Sequence, residues 1–257
     1  MKMDLKRIGT RPIFWAVFLA GLIYALIPVI QTWPHGVDAE YYISYPRNPY
    51  VSWMYFTGDT YYMYALTFPL LASLAFSDAY AEDFNTGFIK NILTKVNKKR
   101  YLLSRYAVNF CIGGLMATLP LTVNFLGEMA AYPLIDNHYF LGMPVVTGGG
   151  FWPELFYSHP LVYILLRLGL LFLFGGMLAS LGLAFSTVVK NRYIVLIFPF
   201  LFVLMMDVVA NVLGMYSLTL LFLGNVEASW ELAVWLIPGI GTTFIWFYVL
   251  GEKNETI

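Results

Sequence analysis

The sequence predicts an all-α integral membrane protein of six transmembrane helices with both termini in the cytoplasm. Three observations predict it. Of 257 residues, 60% are apolar and only 12% are charged, whereas soluble domains carry roughly 25% charged residues. The apolar residues fall in blocks near the ~20 residues that cross a bilayer core of about 30 Å. Of the 15 lysines and arginines, all but Arg47 and Arg167 flank these blocks on one side, which the positive-inside rule makes cytoplasmic. The formal net charge is zero, so nothing in the charge balance points to nucleic acid. The chain reads as one transmembrane domain over residues 1–257.

The first span is expected at about residues 13–32, after Lys2, Lys6, Arg7 and Arg11. It is longer than a signal-peptide h-region and has no A-x-A-like cleavage site, so it reads as a retained helix. An outer segment follows with Trp33, Tyr41, Tyr42, Tyr45, Tyr50, Trp53, Tyr55, Tyr61, Tyr62 and Tyr64. Amphipathic rings favour the headgroup level, giving an aromatic belt with a small external cap; an entry surface for an amphipathic ligand is the alternative. The second span is expected at 61–77 and the third at 106–131. Cys111 lies inside the third; as a lone cysteine it excludes an intrachain disulfide and is expected to be a small core residue.

The outer loop 133–157 contains Thr147, Gly148, Gly149 and Gly150, a turn without the lysine of a phosphate loop. His35, His138 and His159 are too widely spaced for a metal pattern, and no catalytic residue is expected. The fourth span covers about 160–189. The fifth block, 193–224, would be about 48 Å long as one helix, too long for the core at ordinary tilt. Asn211 and Gly214 are plausible break points, so a span over 193–210 and a short re-entrant helix over 215–223 are expected. A single tilted helix is the alternative. The last span is 232–250. Two charges fall within spans, Arg167 and Asp207. Counting along antiparallel helices puts both about 10 Å below the outer boundary, and an interhelical ion pair is expected.

The loop 78–105 is the most informative stretch. It opens with Asp78, Glu82 and Asp83 and closes with Lys95, Lys98, Lys99 and Arg100, an order suited to a helix dipole. Asn85 and Thr86 are expected as N-caps. After them Phe88, Ile89, Ile92, Leu93 and Val96 share one stripe, with Lys90, Asn91, Thr94 and Lys95 opposite. Such an amphipathic helix either lies in the headgroups or docks into a groove on a cytoplasmic partner.

This loop resembles the first cytoplasmic loop of ABC-2 type transporter permeases. In that family an acidic residue and then a glycine introduce a short coupling helix, and a basic Tyr-Leu-x-Ser-Lys/Arg segment enters the third span. Glu82, Gly87, the stripe 88–93 and the segment from Tyr101 to Arg105 fill those places. The resemblance covers about 26 residues in motif and the whole chain in topology. It implies a permease subunit of an ATP-binding cassette transporter in a cell membrane, expected to be a bacterial plasma membrane. Glu82, Gly87, Phe88, Ile89, Ile92 and Leu93 would couple it to separate ATPase chains. No G-x-x-x-x-G-K-[ST] motif occurs in the sequence, so ATP and Mg are expected in the partner ATPase and no cofactor in this chain. A second permease copy or a paralogue, and surrounding lipid, complete the expected partners. The aromatic outer surface favours export of an amphipathic peptide or drug. A secondary transporter, which would carry internal repeats and midplane carboxylates, and a structural or sensory subunit are the rival readings.

Overall fold

The computed structural model describes residues 2–33, 48–54, 59–137, 146, 148–224, 226–227 and 230–254. Among these the chain is entirely helical, without strands. In order the helices are α1 (Lys2–Gly9), α2 (Pro12–Thr32), α3 (Pro49–Met54), α4 (Asp59–Leu74), α5 (Ala79–Asn85), α6 (Phe88–Leu93) and α7 (Lys98–Ala131). Then follow α8 (Pro153–Ser158), α9 (Pro160–Phe185), α10 (Arg192–Val212), α11 (Leu218–Leu223) and α12 (Glu231–Lys253).

Five helices, α2, α7, α9, α10 and α12, are long and apolar enough to cross a membrane, which fits a multi-pass membrane protein. The block expected as the second span forms α4, at 16 residues only about 24 Å long. Its shortness goes with its position, because Tyr64, Phe68, Ala72 and Ala75 sit in the middle of the main core. By contrast α2 turns Leu19, Ile23 and Ile30 outward, as a helix facing lipid does.

The centre of the bundle is the crossing of α7 and α9, and small residues make it possible. A Cβ on Gly113 would collide with the Cβ of Ala179, and one on Gly175 with that of Ala117. The two helices run antiparallel, so Gly113 and Ala117 on one meet Ala179 and Gly175 on the other. This small-xxx-small pairing lets backbones touch where no hydrophobic force separates helix from lipid. Cys111 lies on the outer side of α7 and is exposed; the expectation of a core cysteine is corrected, because the inward places are taken by Ile112, Gly113 and Gly114.

One end of the bundle is aromatic. Trp53 donates from Nε1 to the Leu121 carbonyl at 3.0 Å, and Ser52 donates to Glu128 at 2.7 Å. Phe125, Phe151, Phe156 and Tyr163 close a separate cluster around them. Of the ring-rich segment, Trp53 and Tyr50 contribute to this cluster, while Tyr41, Tyr42, Tyr45 and Tyr55, like His35, His138 and Thr147, lie outside the described residues. The other end gathers the charges. Lys98 donates to the carbonyls of Glu252 and Asn254, Asn254 donates to the Thr187 carbonyl, and Asn85 to that of Lys190. Both described chain ends and both basic loops therefore meet there.

Candidate functional site

At the charged end, four acids and four arginines from five places in the chain form one network. Asp78 and Asp83 are fully buried, and Asp4 and Arg105 nearly so. Arg11, just before Pro12 opens α2, pairs with Asp78 at 2.7 Å and with Glu82. Arg7 on α1 pairs with Glu82 at 2.6 Å and with Asp83. Arg105 on α7 pairs with Asp83 and lies 3.1 Å from Asp4, while Arg192 at the start of α10 reaches Asp78 at 2.8 Å. Tyr101 donates its hydroxyl to Asp83 at 2.6 Å. Phe76 lies beneath the guanidiniums of Arg11 and Arg105 at 5.1 and 5.2 Å, a flat apolar support for planar cations.

Such a network is held by mutual pairing. Each buried charge alone would cost several kcal/mol, and removing one partner leaves that cost on the other. It fastens α1, α5, α7 and α10 into one body. Glu82 bonds Arg7 and Arg11, and its neighbour Asp83 takes Arg105. The two acids lie about 100° apart on α5, and Asp83 is the one that turns inward. Arg7, Arg11, Asp83 and Arg192 were read only as topology signals or dipole charges, and no sequence signal beyond the equal numbers of the two signs marked them as partners.

Next to this network, Gly87 adopts a left-handed conformation with φ +68°, which suits glycine alone among common residues without strain. It turns the chain from α5 into α6 and stands as the N-cap of α6. The expected caps do other work: Asn85 reaches the Lys190 carbonyl and Thr86 donates back to Glu82. The helix lies close to the expected position, and part of the expected apolar stripe turns in. Ile89 and Ile92 are buried against Tyr80, Tyr101, Leu102 and Phe247, a gain of roughly 1.5–3 kcal/mol for each. Leu93 is half-buried beside them. Phe84, Phe88 and Val96 are exposed, as are Lys90, Asn91, Thr94 and Lys95. Arg7 lies 5.7 Å from the centre of the Phe88 ring, so the network touches the exposed face of α6.

Lys190 closes the same end. Its ammonium donates to the carbonyls of Ser186 and Thr187 at 2.9 and 2.8 Å and stands over the rings of Tyr80 and Phe84. No acid accompanies it in these contacts, and burial pulls its pKa down to about 8.

The two charges within the spans are not paired with each other, and the expected ion pair is corrected. Arg167 donates to the carbonyls of Leu223 and Gly224 at 3.2 and 2.7 Å and lies over Phe151. Asp207 accepts from the backbone N–H of Thr219 at 3.2 Å and from its hydroxyl at 2.5 Å. Helix α11 lies between them, with its first turn at Asp207 and its last carbonyls at Arg167. Its first N–H groups and last carbonyls need partners in apolar surroundings, and the two charges meet that need. The break before it falls where expected: Gly214 takes φ +71°, Met215 donates to Ala210 and Gly214 to Asn211. This is a Schellman motif. Ser217 then caps α11, and Phe222 stacks on Phe174 with ring centres 3.9 Å apart.

Among the described residues no group of histidine, cysteine and acidic side chains could hold a metal ion. No family model matches the sequence, and neither a curated protein nor a solved structure matches it.

Proposed function

We propose that the chain is the permease subunit of an ATP-driven transporter, crossing a cell membrane six times with α4 as its short second span. In this reading the charged end faces the cytoplasm and α6 is the coupling helix, which receives a separate ATPase chain. The cassette ATPases bind ATP and Mg, a second copy or paralogue completes the pathway, and α11 is re-entrant from outside. The proposed cargo is an amphipathic peptide or drug.

The observation that carries the reading is the linkage between α6 and the charge network. Ile89 and Ile92 anchor α6 to the bundle, and Arg7 joins Phe88 to Glu82 and Asp83. A push on the outer face of α6 therefore acts on α1, α5 and α7 together, as a rigid-body switch requires. The partner would meet Phe88, Lys90 and Lys95. Ile89 and Ile92 are used within the chain.

The test separates docking from folding. Phe88→Asp with Lys90→Glu is expected to abolish crosslinking to the co-expressed ATPase while leaving the melting temperature unchanged. Ile92→Asp is expected to lower the melting temperature as well. A double variant that still crosslinks and still couples ATP hydrolysis to transport overturns the assignment of α6.

A further inference from the structure

We infer that the groove between α4 and α10 is a binding site for an amphipathic cation, an ammonium group on an apolar body, with Asp207 as its counter-charge. The groove holds about 170 Å³ and is walled by Leu66 and Pro69 of α4 and by Phe200 and Leu204 of α10, with Asp207 and Thr219 at its polar end. Thr219 supplies two hydrogen bonds to the carboxylate. An ionised carboxylate offers about four acceptor positions, so acceptor capacity remains towards the groove.

Charge complementarity selects the occupant. Asp207 lies 15 residues beyond Arg192 on α10, about 22 Å along the helix. Among the described residues no lysine, arginine or histidine forms an ion pair with it. Among the described residues a second copy of the chain has no spare cation within its spans, since Arg167 is engaged by its own Leu223 and Gly224 carbonyls. An acyl chain would fill the walls and leave the acid unmatched. A small apolar cation satisfies both the walls and the acid, and one charge removes much of the cost of the other in a low dielectric. As a route for cargo this site rests on the transporter reading; as a binding site it does not.

The experiment therefore measures binding alone, on full-length protein in nanodiscs of zwitterionic lipid, with empty nanodiscs as the partition control. The probes are 4-phenylbutylammonium and the neutral 4-phenylbutanol. The ammonium is expected to bind saturably and at least about 10-fold more tightly than the alcohol, a difference that one charge-assisted contact supplies. Asp207→Asn is expected to bring the two probes to equal affinity, and Asp207→Glu to keep the preference. Leu66→Trp, which fills the groove and leaves Asp207 in place, is expected to weaken both probes, and it carries the test if the Asn variant does not fold. Equal binding of the two probes to the unaltered protein, no saturable binding, or a preference that survives Asp207→Asn overturns the proposal.

Discussion

Asp83 is the residue on which the charged end depends most. It is fully buried and receives Arg7, Arg105 and the Tyr101 hydroxyl. Asp83→Asn keeps the shape and removes the charge, leaving Arg105, in a site that is 1% exposed, with Asp4 as the acid still beside it. Loss of about 3–5 kcal/mol is expected, read as a fall in the melting temperature of purified protein by fluorescence-detected size exclusion. Combining Asp83→Leu with Arg105→Met is expected to be milder than Asp83→Asn, because the fully buried acid and the buried guanidinium that pairs with it are removed together. Single residues are also where the sequence was hardest to read. It supplied the acids, the arginines and Gly87, but Glu82 and Asp83 differ by one step along a helix, and only packing decides which of them turns inward.

At the scale of elements, long helices were legible because an apolar block near 20 residues has few other uses, and the break after Val212 was legible from excess length alone. The sidedness of α6 was legible too, but a stripe does not say whether it faces its own chain or another. The crossing of α7 and α9 was written in Gly113, Ala117, Gly175 and Ala179, four residues apart on each helix, a signal that spans defined by hydropathy overlook. For Arg167 and Asp207 the count along the helices did not suffice, because matching depth is only a condition for pairing and a helix end can intervene. A prediction follows that separates the two arrangements. For a direct ion pair, Arg167→Leu combined with Asp207→Asn would be milder than either change alone. With α11 between them, each charge satisfies a different end of the helix, and the double variant is expected to be at least as damaged as the worse single one. Monodisperse yield and melting temperature of the three variants measure this.

For the molecule as a whole the governing question is which solvent each surface meets. Cys111 answers it at one point. It is exposed on α7, six residues beyond the buried Arg105, about 9 Å further along the axis. That is beyond the charged end and inside the apolar band. In intact membranes an apolar maleimide is therefore expected to label Cys111, while a sulfonated, impermeant maleimide labels it from neither side until detergent is added. Rapid labelling by the impermeant reagent would mean that this face of α7 lines water. The all-helical architecture with long apolar helices was legible at this scale because a bilayer imposes one length on every span. α4 falls short of that length, and only one of its faces, with Tyr64, Phe68 and Ala72, is buried, while Tyr62, Met63 and Leu66 are exposed.

The charge network also joins segments of the chain that are made at different times. Arg11 and Asp78 are 67 residues apart, and Arg7 and Asp83 are 76 apart. At synthesis rates of 5–20 residues per second, the arginines wait roughly 3–15 s for their acids. During that interval they are free cations beside a newly inserted helix, the condition under which positive charge holds a terminus back from translocation. In the proposed orientation the same side chains serve twice: first as a positive-inside signal, and then, once Asp78, Glu82 and Asp83 have been made, as their ion-pair partners.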